Sequence, residues 1–280
     1  MRHFASTRAP EVLALQASPI LGSFLGDFSL ERCGVIRLGL LLLGSLALTA
    51  HIFVFNDWVG YKSDTRDPRR ASLVAAHQGI SRREVAGAAI ALLILANVAF
   101  VAVGRLSILL GVAIAALSFL YSCSPNFGKN TPIAGSINHL LGGALHFLLG
   151  YTLVHDLDAS GVMISLFFGL VFAGGHLNQE VRDYEGDLLN GIRTSAVVFG
   201  RQRTFLASSC TFTAAYAIPA GLAAIGILPR LLLLSPIMWF LHVAWSLRAI
   251  QRGLGFETAI WMQRRYRVLF ALIGLAMLAR

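Results

Sequence analysis

The chain has 280 residues, of which 56% are hydrophobic and 13% are charged, and its formal net charge is +9. Soluble domains carry about 25% charged residues, so this composition excludes a soluble globular protein and predicts an integral membrane protein. The apolar stretches are continuous rather than alternating, which favours spanning helices over a barrel and predicts an all-α fold. The positive charge does not indicate nucleic acid, because the basic residues form no run on one soluble face.

Apolar windows of about 20 residues predict nine transmembrane helices in a single domain, residues 1–280. The first window is the weakest, because it contains Glu11, Pro19 and Asp27, and a helix lying in the membrane interface is the alternative there. A tight break at Gly104 and Arg105 separates the third span from the fourth. In chain order the predicted spans are 9–27, 33–56, 84–104, 106–122, 132–154, 160–179, 204–226, 230–248 and 265–279.

The distribution of basic residues orients these spans. The N-terminus and the loops after even-numbered spans hold 18 of the 23 lysines and arginines. The positive-inside rule therefore predicts a cytoplasmic N-terminus in the inner (plasma) membrane. The five basic residues on the other side are Arg32, Arg37, Arg105, Arg230 and Arg280.

Two acidic windows follow long apolar runs, and they contain seven of the 14 acidic residues. The first window runs from Asn56 to Asp67 and the second from Glu180 to Asp187. If the second span continues helically past Asn56, Asp57 and Asp64 stand two turns apart on one face, and Pro68 ends the helix. Both windows lie at predicted cytoplasmic ends of spans.

In the second window Asp183 and Asp187 are four residues apart, one above the other on a helix. Glu185 lies on another face and is expected to pair with an arginine. Carboxylate and amide oxygens at helical spacing suit Mg²⁺, which also takes phosphate oxygens and water. The alternative is that both windows are ordinary charged loops whose acids pair with neighbouring arginines.

Other polar residues have simpler expected roles. The three cysteines are isolated, without metal-ligand spacing, and are expected to be buried small apolar residues. His139 and His146 share one face of the fifth span, and His176 stands four residues before Glu180. Core histidines with satisfied hydrogen bonds are the expected reading for all three, and a general base at His146 or His176 is the alternative.

The two windows together resemble the UbiA superfamily of intramembrane prenyltransferases. Members carry Asn-Asp-x-x-Asp-x-x-x-Asp after the second helix and Asp-x-x-x-Asp after the sixth. Asn56, Asp57 and Asp64 match the first motif, and Asp183 and Asp187 match the second. The segment from Tyr121 to Pro125, with Lys129, resembles a Tyr-Ser-x-x-Pro…Lys segment after the fourth helix. The resemblance covers roughly residues 35–280.

The resemblance implies helices around a central chamber and a site facing the cytoplasm. An isoprenyl diphosphate would be ionised to an allylic cation that alkylates an aromatic or lipid-like acceptor, with membrane lipid around the chamber. Lys129 and Tyr121 are the implied catalytic residues. The implied Mg²⁺ ligands are Asn56, Asp57, Asp64, Asp67, Asp183 and Asp187, and the implied diphosphate ligands are Asn56, Lys129, Arg69 and Arg182.

One position departs from the family pattern. Gly60 stands where the first motif has its middle aspartate, which is a metal ligand in the resemblance. This departure keeps open a terpene cyclase, which would ionise and close an isoprenyl diphosphate without an acceptor. A third alternative is a small-solute transporter, which the scarcity of charge within the spans disfavours.

Overall fold

The computed structural model describes residues 2–26, 28–29, 31–61 and 79–279, with side chains from residue 9 onward. Within these ranges the chain forms helices and connecting turns and contains no strand, as the all-α prediction requires. Asp64, Asp67 and Arg69, which the sequence places at the first motif, lie outside the described residues.

Eleven α-helices and one short 3₁₀ helix make up the described chain. The 3₁₀ helix covers Arg230–Leu234 and leads directly into the tenth α-helix. The α-helices are α1 Arg2–Leu15, α2 Ala17–Leu25, α3 Arg32–Gly60, α4 Arg82–Val103, α5 Arg105–Cys123, α6 Ala134–Tyr151, α7 Ala159–Leu189, α8 Ser195–Phe199, α9 Arg201–Ala224, α10 Ser235–Gln251 and α11 Phe256–Ala276.

Six helical segments of the described chain are long and apolar enough to cross a membrane. They are α3, α4, α5, α7, α9 and the segment Arg230–Gln251, and they identify an integral membrane protein. The total of nine spans and the cytoplasmic N-terminus stay predictions. The first predicted span, 9–27, is divided at Gln16 between α1 and α2, and neither helix is among these six.

Local sequence explains where the long helices begin and end. Gly104 has a φ of 150° and separates α4 from α5, which confirms the predicted break. Ser81 begins α4 with a capping box, in which its hydroxyl accepts a hydrogen bond from the Glu84 N–H at 3.3 Å and the Glu84 carboxylate accepts one from the Ser81 N–H at 2.8 Å. The carboxylate of Asp158 accepts a hydrogen bond from the Gly161 N–H at 2.7 Å and begins α7.

The first of two compact units comprises residues 1–124 and 148–156. Within it, α3 and α5 approach Phe100 of α4, which is 1% exposed. A Cβ added to Gly44 on α3 would lie 2.6 Å from this ring, and one added to Gly111 on α5 would lie 2.5 Å from it. Two glycines therefore let helices pack on both sides of one aromatic ring.

The second unit comprises residues 125–147 and 157–280. Phe212 of α9 packs against Tyr266 and Phe270 of α11, with ring centres 4.7 and 5.1 Å apart. A Cβ added to Gly174 on α7 would lie 2.8 Å from the Phe212 ring, so α7 also approaches this cluster closely. Aromatic packing thus joins α7, α9 and α11 and fixes the helix that carries the second acidic window.

The expected burial of the cysteines is wrong. Cys33, Cys123 and Cys210 are all exposed in the structure. A small apolar side chain on a membrane-facing helix surface contacts lipid rather than water, so nothing drives it into the protein interior.

Candidate functional site

The first acidic window begins on the last turn of α3. Asn56 and Asp57 are half-buried there, and Gly60 is buried as the last helical residue. The predicted continuation of the helix past Asn56 is therefore confirmed as far as Gly60. The side-chain oxygen Oδ1 of Asn56 is buried and has no hydrogen-bond partner among the residues the structure describes.

Two contacts join the end of α3 to the start of α4. The hydroxyl of Tyr61 donates a hydrogen bond to the carbonyl oxygen of Ile80 at 2.7 Å. The guanidinium of Arg82 lies 4.7 Å from the centre of the Trp58 ring. These contacts hold the end of α3 against the start of α4. The remaining residues of the first motif lie between these two helices in the sequence.

The second window is wholly helical, because α7 continues to Leu189, ten residues beyond the predicted span. Asp183 and Asp187 lie one above the other in its last turns, as the spacing predicted. His176 and Glu180 precede them at helical spacing, so all four side chains fall within about 60° of one another around the helix axis. One face of α7 therefore carries a polar stripe that starts in its buried part and ends at the metal motif.

Asp183 is held by its neighbour Arg182. The guanidinium donates two hydrogen bonds to the carboxylate, each 2.8 Å long, and the side chains are about one-fifth exposed. A third guanidinium hydrogen bond goes to Oε1 of Gln263 on α11 at 3.2 Å. Arg182 is thus anchored by α11 while it neutralises a predicted metal ligand.

Glu185 has the structural role that its position on the helix predicted. It forms an ion pair with Arg201 at the start of α9. The same guanidinium lies 4.3 Å from the centre of the Tyr184 ring. These contacts join the end of α7 to the start of α9, and Glu185 lies on the helix face opposite Asp183 and Asp187.

Backbone hydrogen bonds cap the C-terminal end of α7. Gly191 has a φ of 69°, which suits glycine at this position, and its N–H donates to the carbonyl oxygen of Leu188 at 3.2 Å. The N–H of Ile192 donates to the carbonyl oxygen of Asp187 at 2.8 Å. The carbonyl group of Asp187 is therefore hydrogen-bonded although it lies close to the helix end.

The segment that carries Lys129 is attached to the chain that follows α7. The side-chain oxygen of Asn130 accepts a hydrogen bond from the Arg193 N–H at 2.8 Å. The N–H of Ile133 donates to the hydroxyl oxygen of Ser195 at 3.0 Å. Both contacts lie within the second unit, so the Lys129 segment is bonded to the chain that directly follows the second motif. Tyr121 is half-buried near the end of α5, in the first unit.

His139 on α6 and His176 on α7 belong to one polar cluster. The rings of His139 and His176 stack with their centres 3.9 Å apart. Nδ1 of His176 lies 3.3 Å from the hydroxyl of Ser136 and 3.6 Å from the carboxylate of Glu180. Glu180 also accepts a hydrogen bond from the Ala196 N–H at 3.3 Å. This network secures α6, α7 and α8, as expected of core histidines.

The donor atoms of the two motifs fit Mg²⁺. Asn56 presents a buried oxygen that lacks a hydrogen bond within the described part of the chain, and a bound cation would satisfy it. Asp183 and Asp187 add carboxylates at one-turn spacing. No three His, Cys, Asp or Glu residues of the described ranges converge as a metal site by themselves. Mg²⁺ usually takes one or two carboxylates from a protein and keeps water and phosphate oxygens as its remaining ligands.

Comparison with known sequences decides the family. A sequence model of the UbiA prenyltransferase family matches residues 21–263. The chain belongs to this family. No curated protein sequence matches it at a significant level.

Solved structures with the same fold include three that cover nearly the whole chain. A UbiA homologue from Archaeoglobus fulgidus bound to GPP and Mg²⁺ is 20% identical, with a TM-score of 0.75 and 99% of each chain covered. A digeranylgeranylglyceryl phosphate synthase is 18% identical, with a TM-score of 0.73 and coverage of 99% of this chain and 96% of that one. A UbiA homologue from Aeropyrum pernix K1 is 14% identical, with a TM-score of 0.71 and coverage of 95% and 96%.

Sequence reasoning missed the residues that support the second motif of this UbiA family member. Gln263 stands 81 residues after Arg182 and Asn130 stands 63 residues before Arg193. Neither residue belongs to a recognisable pattern in the sequence. Their roles follow from helix packing, which brings distant polar groups together at the end of α7.

Proposed function

We propose that this protein is an intramembrane prenyltransferase, which uses Mg²⁺ to move an isoprenyl group from an isoprenyl diphosphate to an aromatic or lipid-like acceptor. The observation that carries the proposal is the stacked pair Asp183 and Asp187 at the polar end of α7, a 31-residue helix long enough to span a membrane. Family membership supports it, as do the Archaeoglobus fulgidus structures bound to GPP or DMAPP with Mg²⁺. We propose further that residues 1–280 act as one domain, with the site toward the cytoplasm.

Each motif has a proposed set of ligands. Asp183 and Asp187 bind Mg²⁺ at the second motif, and Asn56 contributes its buried amide oxygen at the first. Mg²⁺ bound there neutralises diphosphate oxygens and so favours cleavage of the C–O bond. Gly60 offers no side-chain ligand at the position of the motif's middle aspartate, and the remaining proposed ligands of the first motif are Asp57, Asp64 and Asp67.

The other proposed residues act on the diphosphate and on the cation. Arg182 and Lys129 donate hydrogen bonds to the diphosphate and stabilise the charge that develops on it as it leaves, and Arg69 has the same proposed role. The ring face of Tyr121 stabilises the allylic cation. The apolar spanning helices exclude water, which would otherwise capture the cation.

The test is a comparison of two matched variants of α7. Purified protein is incubated with Mg²⁺ and geranyl diphosphate, with and without a membrane lipid extract, and released diphosphate and prenylated products are measured. Asp187→Asn is expected to lower diphosphate release at least tenfold, because a metal ligand is lost. Glu185→Gln makes the same chemical change two residues away and is expected to retain more than half of the activity. Equal rates for both variants would show that Asp187 is not a ligand.

The same assay separates transfer from cyclisation. Transfer predicts that prenylated product forms only when the lipid extract is added. Cyclised hydrocarbon from geranyl diphosphate alone would instead favour the cyclase alternative that Gly60 keeps open.

A further inference from the structure

The hairpin of α10 and α11 carries a basic and aromatic surface at its connecting turn. The residues of this surface at the end of α10 are three and seven positions apart, which puts them on one helix face. The residues on α11 also share one face. We call it the arginine–tryptophan surface, and its residues are Trp245 and Arg248 on α10, Arg252 directly after α10, and Trp261, Arg264 and Arg265 on α11.

The tryptophan rings hold two of these arginines in place. The guanidinium of Arg265 lies 3.8 Å from the centre of the Trp261 ring and 5.7 Å from that of Trp245. The guanidinium of Arg252 lies 5.1 Å from the Trp261 ring. The tryptophans themselves pack on a buried apolar cluster that includes Ala249 and Met262. Guanidinium groups stacked on rings keep the N–H donors at their edges available for an anion.

The charge of this region is strongly unbalanced. Residues 235–279 contain five arginines and a single acidic residue, Glu257. The ion pairs of the described chain that involve Arg182, Arg201 and His176 lie elsewhere. Arg248, Arg252 and Arg264 are exposed. Like charges gathered on one surface repel one another, so an anion bound among them would be strongly favoured.

Exposed apolar side chains lie on the same faces of α10 and α11, farther along each helix from the arginines. On α11, Arg264 is followed on the same face by Val268 and Leu272, which are 58% and 45% exposed. On α10, Leu241 precedes Trp245 and Arg248 on the same face and is 46% exposed. Leu272 lies roughly 12 Å along the helix from Arg264, which is close to the depth of one hydrocarbon leaflet.

The geometry points to a binding site for an anionic phospholipid. The headgroup phosphate lies against Arg252, Arg264 and Arg265, and the acyl chains follow the apolar face of α11. The adjoining apolar face favours a lipid over a free phosphate, which would use the arginines alone. Gln263, which accepts a hydrogen bond from Arg182, directly precedes Arg264 in α11, so the proposed site and the support of the second motif share one turn of this helix.

Native mass spectrometry of the detergent-purified full chain tests this site. Dioleoyl-phosphatidylglycerol and dioleoyl-phosphatidylcholine share acyl chains and differ in charge, and each is titrated against the wild type and the variant R252Q/R264Q. The wild type is expected to retain the anionic lipid at least tenfold better than the zwitterionic one. The variant is expected to lose this preference, because each arginine near anionic lipid contributes about fivefold in affinity.

The control variant is R83Q/R105Q, which removes two exposed arginines from α4 and α5. It has the same net charge as R252Q/R264Q and is expected to keep the wild-type preference. Arg264→Gln alone, at an exposed side chain, is the substitute if the double variant does not fold, and about a fivefold loss is expected for it. Equal retention of both lipids by the wild type, or equal losses in both double variants, would overturn the site. Competition by glycerol 3-phosphate as effective as by phosphatidylglycerol would identify a phosphate site and overturn a lipid site.

Discussion

The guanidinium of Arg182 binds the carboxylate of Asp183, which the proposed function assigns to Mg²⁺. This competition has a measurable consequence. The two groups are joined by two 2.8 Å hydrogen bonds. A metal ion at Asp183 needs the same oxygens, so the arginine and the ion compete. We therefore expect Arg182→Gln to lower the Mg²⁺ concentration required for half-maximal activity.

The contacts set the size of this effect. Hydrogen bonds to a charged group contribute about 1.5–3 kcal/mol, and loss of one partner of a fully buried ion pair costs about 3–5 kcal/mol. Arg182 and Asp183 are about one-fifth exposed, so water screens part of their attraction and about 2 kcal/mol is a reasonable value. This corresponds to at most about a thirtyfold change in the half-saturating Mg²⁺ concentration.

Two titrations measure the competition. Mg²⁺ is varied at saturating geranyl diphosphate, and the donor is then varied at saturating Mg²⁺. In Arg182→Gln the Mg²⁺ requirement is expected to fall while KM for the donor rises about tenfold, because a guanidinium that binds the leaving diphosphate is lost. Arg201→Gln is the matched control, since Arg201 pairs with Glu185 and is expected to leave the Mg²⁺ requirement unchanged.

An increased Mg²⁺ requirement in Arg182→Gln would refute this reasoning. It would mean that Arg182 orients Asp183 for the metal instead of competing with it. A thermal unfolding curve of each variant in detergent separates either result from a loss of folded protein.

Two further predictions concern glycines. Gly60→Asp restores the missing family carboxylate on α3 and is expected to lower the half-saturating Mg²⁺ concentration at least threefold; an unchanged Mg²⁺ titration would contradict a ligand position there. Gly191→Ala places a Cβ at a φ of 69° and is expected to destabilise the protein by about 1 kcal/mol, seen as a lower unfolding temperature. Gly142→Ala, at a helical glycine with open space, is the control, and an equal change in both would contradict a backbone origin.

Much of the helical framework could be predicted from the sequence, because hydrophobic length and glycine breaks are local signals. The break at Gly104 and the helical stacking of Asp183 and Asp187 required no knowledge of distant residues. The apolar window of the sixth span ends at 179, because the last turns of α7 are polar, but the helical spacing of Asp183 and Asp187 predicts that the helix continues, and α7 ends at Leu189. The stability of these turns comes from the caps at Gly191 and from the contact with α9.

The partners of the site residues could not be predicted in the same way. The helix spacing showed that Glu185 would pair with an arginine but not that Arg201 would be its partner. The stacking of His139 on His176 joins two helices whose polar residues have no shared pattern. Such contacts depend on the rotation and depth of each helix in its neighbours' grooves, which a single sequence does not encode locally.

The attachment of the Lys129 segment to the chain after α7 limits how this protein can be engineered. Connecting segments usually accept inserted residues, because few of their backbone groups are engaged. Here Asn130 and Ile133 are bonded to Arg193 and Ser195, and Ile133 adopts a φ of 70° that is unfavourable for a branched side chain. An epitope tag inserted there would separate the lysine from the second motif. The exposed turn around Asp156 is the better position for a tag.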